Sequence, residues 1–347
     1  MNARPGTRAR RRGWIGAAAL AATLALPAAA LAQSKTGTTL GQFMLIEPSA
    51  RLTAMGNAGV ALAEGLEGAY YNPAAAGRLT RREFELAHID WFAGIRYDYV
   101  AAAIPFGVWG TGFASITSLN SGDIEVRTVN QPLGTGERFS VSDLGIGIGY
   151  GRALTDRFAA GIQVKYLQET VWHSSAQTVT FDVGTVYRIR PDGLEIGSSV
   201  SNFGTSAAYS GRDLRITYDN DPTRFGDNGQ LPGERFVQDY PVPVMFRVGV
   251  GIPWRPAPDW RIWTVAQAIH PNDNSESVGG GVEASYRKIA AIRAGYQSLF
   301  KKDSEEGLTA GAGIRGTIQS FDYRIDYAWA DQGRLGGVHR LTMSLLY

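Results

Sequence analysis

Beyond residue 82, apolar and polar side chains alternate with a period of two, which places them on opposite faces of extended strands. Across 179–187, Val179, Phe181, Val183, Thr185 and Tyr187 share one face, and Thr180, Asp182, Gly184 and Val186 share the other. Across 321–329 the two sets are Phe321, Tyr323, Ile325, Tyr327 and Trp329 against Asp322, Arg324, Asp326 and Ala328. Val244, Phe246, Val248, Val250 and Ile252 likewise oppose Arg247, Gly249 and Gly251. Comparable stretches at 83–92, 95–105, 110–128, 139–151, 158–172, 194–203, 260–270, 277–287, 290–299, 307–316 and 338–347 bring the predicted strands to 14.

The connections sort by parity. Even-to-odd links are short, as at 106–109, 152–157, 190–193, 288–289 and 317–320, whereas most odd-to-even links are longer and more polar, notably 130–138, 270–276, 301–306 and 204–240. Short turns at one rim and long loops at the other mark an outer-membrane barrel, and each strand reaches the roughly 9 to 11 residues a tilted span requires. Closing the sheet also removes the edges that lipid cannot satisfy. Trp254, Trp260, Trp263, Phe158, Tyr187, Tyr286 and Phe321 fall at the short-turn rim, and Trp91, Trp172, Phe300 and Trp329 at the other, as expected of interfacial girdles.

Composition narrows the function. The 347 residues include no Cys, which excludes disulfide scaffolds and thiolate metal sites. Of the 34 basic residues, five arginines lie within the first 32 positions, which carry no acid, so the remaining chain has 29 basic against 32 acidic residues and no basic excess for a nucleic-acid partner. Those first positions read as a signal peptide: a positive run at Arg8–Arg12, an apolar run from Trp14 to Leu26, and Ala30-Leu31-Ala32 before Gln33. The final strand places Leu341, Met343, Leu345 and Tyr347 on one face, and its terminal aromatic resembles the signal read by the barrel assembly machinery.

Residues 34–80 lack strand alternation and are rich in small side chains, suggesting a compact segment that sits in the lumen. Ala50-Arg51-Leu52, Met55-Gly56, Gly59 and the doublet Tyr70-Tyr71 before Asn72-Pro73-Ala74 resemble the PorV/PorQ family, related to the FadL-type transporters of hydrophobic compounds. The resemblance implies an all-β fold: a 14-stranded antiparallel transmembrane outer-membrane β-barrel over 82–347, an N-terminal hatch at 33–81 plugging its lumen, and a signal peptide at 1–32. Arg51, Met55, Gly56, Asn72 and Pro73 are then the hatch motif. In the transporters a kinked third strand opens the wall, and the interruption at Asn120, Ser121 and Gly122 is the candidate for such a lateral gap, because Asn and Gly tolerate bulged or left-handed backbone.

The inward faces supply a polar network: Glu83, Glu85, Lys165, Asp182, Arg247, Arg293, Asp322, Arg324 and Asp326, joined by Glu195, Glu283, Arg315 and Arg340. Acids and bases are nearly balanced, so no ion-selective ring is expected, and the network reads as a seat for the hatch. Gly311 to Gly316 matches GxGxxG but belongs to a strand, and no nucleophile elbow or HExxH occurs, so no catalytic residue, metal or cofactor is expected. The Asp273–Glu276 loop reads as solvated surface. Two functions compete: passage of hydrophobic small molecules through a hatch-plugged lumen with a lateral opening, or an accessory role in type IX secretion that binds exported proteins. The long loop 204–240 looks too charged to collect apolar ligands. Outer-membrane lipid and the assembly machinery are partners in either case.

Overall fold

The computed structural model describes residues 37–347 except 63, 191–192, 222, 227–228 and 302–303, so the signal peptide expected at 1–32 lies outside the described residues. Fourteen long strands form one antiparallel sheet. They are β1 (Glu83–Asp90), β2 (Arg96–Pro105), β3 (Thr111–Asn120), β4 (Val141–Ala153), β5 (Phe158–Val171), β6 (Ser174–Arg188) and β7 (Glu195–Gly204). The second half comprises β8 (Met245–Ala257), β9 (Trp260–Pro271), β10 (Ser277–Tyr286), β11 (Ala290–Leu299), β12 (Leu308–Ile318), β13 (Phe321–Asp331) and β14 (Gly337–Leu346). Each strand pairs with its neighbours in chain order, and β14 closes on β1 from Glu83↔Leu346 to Asp90↔His339. Every span therefore has its backbone polar groups satisfied by the wall itself, the condition for crossing hydrocarbon with strands.

Period two is visible in burial. Along β6, Thr178, Thr180 and Asp182 are buried while Val179, Phe181 and Val183 are exposed. The exposed set faces lipid, where it forms an apolar belt with Ile148, Val164, Ile292 and Leu341. Such a closed, apolar-belted barrel of 14 strands is an outer-membrane protein. Trp254, Trp260, Tyr187, Tyr286 and Phe321 are exposed at the short-turn, periplasmic rim. Trp263 departs from the expected girdle: it is 1% exposed and lies with Leu52, Met55 and Tyr71, because its parity on β9 turns it inward.

The described residues before β1 meet strands from all around the closed barrel and so run within it: Ala50 bonds Thr342 of β14, Gly56 Thr309 of β12, Val60 Gln267 of β9 and Asn72 Thr185 of β6. A single α-helical turn, α1 (Ala50–Thr53), is capped by Ser49, whose hydroxyl accepts from the Leu52 N–H. Asn72 ends one short helix, α2 (Glu67–Tyr71), and caps the 3-10 turn Pro73–Arg78. Small residues on the wall let this segment come close. A Cβ at Gly281 would lie 2.6 Å from the Met55 Cα, and one at Gly311 2.6 Å from the Ala54 Cβ; of the GxGxxG match, Gly311 makes room for the segment, while Gly313 and Gly316 make room for Asp326 and Tyr323 of the wall.

The third strand, expected to run from 110 to 128, ends at Asn120. β3 is paired without a register shift to β2, from Arg96↔Asn120 to Pro105↔Thr111, and to β4, from Thr111↔Gly151 to Asn120↔Ser142. The interruption at Asn120-Ser121-Gly122 falls at the outer end of the span, where a small hairpin (Ile124–Glu125 with Arg138–Phe139) begins. Asn120 Oδ1 accepts from the Gly122 N–H at 2.7 Å, Ser121 Oγ accepts from the Val141 N–H, and Gly122 has φ 68°: the residues form a turn.

Candidate functional site

Two features stand out, a charged network between segment and wall and an apolar pouch above it. The network centres on Arg51, 1% exposed, whose guanidinium clasps Glu283 through Nε (2.7 Å) and Nη2 (2.8 Å) and reaches Glu67 through Nη1 (2.9 Å). Arg293 holds the same Glu283 at 2.6 Å and Asp326 at 2.8 Å, and Arg324 joins Glu67 (2.7 Å) to Asp326 (2.8 Å). Three arginines and three acids thus alternate, which is how charges are tolerated in a site removed from water. Glu83 accepts from the Leu66 N–H at 2.9 Å, and Glu85 lies 3.9 Å from Arg324.

A second group sits closer to the outer side. Lys165 pairs with Asp182 at 2.7 Å, and Asp182 also accepts from the N–H of Asn202, a left-handed bulge (φ 62°) where the β6–β7 register shifts. Arg247 pairs with Glu47 of the segment at 3.1 Å, and burial pushes the Glu47 carboxyl up to about 7 despite that arginine. Asp322, expected in the lumen network, instead stands at the periplasmic rim, 40% exposed, and pairs with Arg81. Its position at the start of β13 leaves it beyond the buried zone.

The segment's own motif is spread over the wall. Asn72 donates to the Val60 carbonyl (2.8 Å) and to Thr185 of β6 (3.0 Å), while its Oδ1 accepts from Ala74 (3.1 Å). Gly56, with φ 69°, passes beneath β12, its N–H donating to Thr309 Oγ1 at 3.2 Å. Met55 and Leu52 pack on Trp263. Pro73 begins the turn that follows.

The pouch lies at the outer rim and measures about 750 Å³. Its floor is Thr39 and Leu40 of the segment, its sides are Val171 and Trp172 at the end of β5 together with Phe139 and Val126, and its cover is Tyr209, Leu214, Val237 and Tyr240 of the long loop. Of the acids lining the pouch, Glu169 is engaged, accepting from the Gly41 N–H at 2.6 Å and the Tyr209 hydroxyl at 2.7 Å, and Asp213 pairs with His173. Loop 204–240, expected to be too charged for apolar ligands, brings Tyr209, Leu214, Val237 and Tyr240 to the pouch, with its Asp213 beside them at the lining. No run in the sequence signals this, because the four covering side chains are dispersed among charged residues.

The Asp273 loop also differs from a solvated surface. Asp273 is 4% exposed and accepts from Thr39 Oγ1 (2.9 Å) and Gln42 Nε2 (2.7 Å), tying the start of the segment to the β9–β10 loop. His173 pairs with Asp213 and His270 with Glu276, each at 3.0 Å in a different loop.

Comparison with solved structures bears on the fold. The chain superposes on the toluene transporter TbuX of Ralstonia pickettii with a TM-score of 0.52 at 14% identity, over 85% of this chain and 96% of that one. The fold is that of the FadL-type barrels. The toluene transporter TodX of Pseudomonas putida gives 0.52 at 13% identity over 85% and 96%, and a FadL homologue of Pseudomonas aeruginosa gives 0.51 at 11% over 84% and 95%. No family model and no curated protein matches the sequence.

Proposed function

We propose that this barrel passes small hydrophobic compounds across the outer membrane, with the segment at 33–81 acting as its hatch. The observation that carries the reading is the apolar pouch of about 750 Å³ whose floor is the segment itself. A volume within the usual range for ligand sites, lined chiefly by aliphatic and aromatic groups with Arg127, Glu169 and Asp213 among them, suits a largely apolar solute that partitions from water. Because Leu40 and Thr39 form the floor, cargo leaving the pouch inward meets the hatch first, and passage requires that segment to shift. The likeness to barrels described as toluene transporters supports a small apolar cargo. With β3 unbroken, the route runs through the lumen beside the hatch.

The test is uptake of a radiolabelled monoaromatic hydrocarbon by cells producing the chain or its Leu40→Asp variant. A carboxylate in the floor disfavours apolar occupancy, so uptake falls several-fold at equal barrel abundance. Uptake no greater than in cells lacking the barrel overturns the reading. If the variant leaves uptake unchanged and instead lowers export of secreted proteins, the PorV-like secretion role replaces it.

A further inference from the structure

The periplasmic rim carries a second feature that passage does not use. A recess of about 360 Å³ lies between the β8–β9 and β10–β11 turns, lined by Arg255, Asp259, Trp260, Arg261, Arg287 and Lys288 among others. At the outer rim Arg127, Arg138 and Arg334 each face an acid. Here, Arg255 and Lys288 make no ion pair or hydrogen bond among the described residues. Asp259, the one acid lining the recess, is held by Arg287 at 3.3 Å, and Arg261 turns inward to Glu64 and over the Trp263 ring. The recess therefore presents a net positive face.

Its depth and geometry point to an occupant. Trp260 and Tyr286 face outward with rings 5.1 Å apart, and the Arg287 guanidinium lies 5.2 Å above the Tyr286 ring. Rings of this kind sit at the level of lipid headgroups, where cations beside them meet phosphate. The turn is also unusual. Ile289 N–H donates to the Tyr286 carbonyl, and both central residues, Arg287 (φ 50°) and Lys288 (φ 58°), are left-handed, a geometry for which Asn-Gly is the favoured pair. Two long cations thus occupy this turn against backbone preference, and the Arg287 N–H bonds the Asp259 carbonyl, tying the two turns into one platform.

We propose that this platform binds the phosphate of an acidic phospholipid from the periplasmic leaflet, with Arg255, Arg287 and Lys288 as its cationic ligands. The experiment is native mass spectrometry of the full barrel, extracted in mild detergent and offered equal amounts of phosphatidylglycerol and phosphatidylcholine. The wild-type chain should retain phosphatidylglycerol roughly 25-fold over phosphatidylcholine at low salt, since Arg287 is shared with Asp259 and the two unpaired cations, Arg255 and Lys288, each contribute on the order of a fivefold factor near an anionic group. The double variant Arg287→Asn with Lys288→Gly keeps the turn in its favoured sequence, so heat-modifiable migration should persist while the preference disappears. Arg255→Gln, which leaves the turn untouched, should reduce it in part. Equal retention of the two lipids by the wild-type chain, or an unchanged preference in the variants, overturns the proposal. Displacement of the lipid by equimolar inorganic phosphate also overturns it, in favour of a free-phosphate site.

Discussion

Replacing Arg51 by Met tests whether the charged network holds the segment in place. Methionine keeps most of the aliphatic bulk, so the change removes the guanidinium and leaves little cavity. Three short charge-assisted bonds are lost, two to Glu283 and one to Glu67. Each acid keeps one cation, Arg293 at 2.6 Å and Arg324 at 2.7 Å, so neither is left alone. What changes is the balance: two arginines must now serve Glu67, Glu283 and Asp326, all nearly inaccessible to water. Breaking a buried ion pair of this kind costs about 3 to 5 kcal/mol, and the retained partners put the expectation near the lower figure. Urea unfolding of the detergent-folded barrel, followed by heat-modifiable migration, measures it. Adding Glu283→Gln to Arg51→Met should recover about 1 kcal/mol or more, because the uncompensated carboxylate is then gone. Cells carrying the single variant should also admit large antibiotics more readily. A loss below about 1 kcal/mol with unchanged antibiotic sensitivity would show that the network is incidental to seating the segment, against the reasoning from buried pairs.

Asn72→Ala removes two donated bonds and a cap, which predicts a loss of about 2 to 3 kcal/mol on the same unfolding assay; a change within error would mean those bonds are replaced by water. Gly122→Val places a β-branched residue at φ 68°, where a Cβ meets nothing within 4 Å. It should cost about 1 to 2 kcal/mol locally and leave hydrocarbon uptake unchanged, whereas abolished uptake would restore a lateral route at that turn. For Glu47, whose carboxyl is raised from 4.5 to about 7, the neutral form is favoured in the folded chain. Stability should therefore rise by about 1 to 3 kcal/mol as pH falls from 8 to 5, chiefly between 7 and 4.5. Urea midpoints across that range should show the slope in the wild-type chain and lose it in Glu47→Gln; the same slope in both would assign it to another group.

Strand number and the inward or outward direction of most wall side chains were legible in the sequence, because a barrel wall imposes one rule on every strand: lipid on one face, lumen on the other. Arg324 and Asp326, or Lys165 and Asp182, show their inward direction by parity alone. Parity also places Trp263 inward, although its location near a turn suggests a girdle, so composition near a rim is a weaker guide than register. The pairing of Arg51 with Glu283 spans more than two hundred positions, and no local pattern chooses Glu283 over Glu85 or Asp326; only the closed sheet brings those faces around one segment. The pouch was out of reach for a related reason. Tyr209, Leu214, Val237 and Tyr240 obey no period, and their common direction is set by how a long loop folds over Trp172 and Leu40. The break at Asn120–Gly122 looks like a kinked strand in sequence, yet register with β2 and β4 makes it the end of one. Periodic burial thus determines the wall, while contacts between distant segments decide what fills it and where it is open.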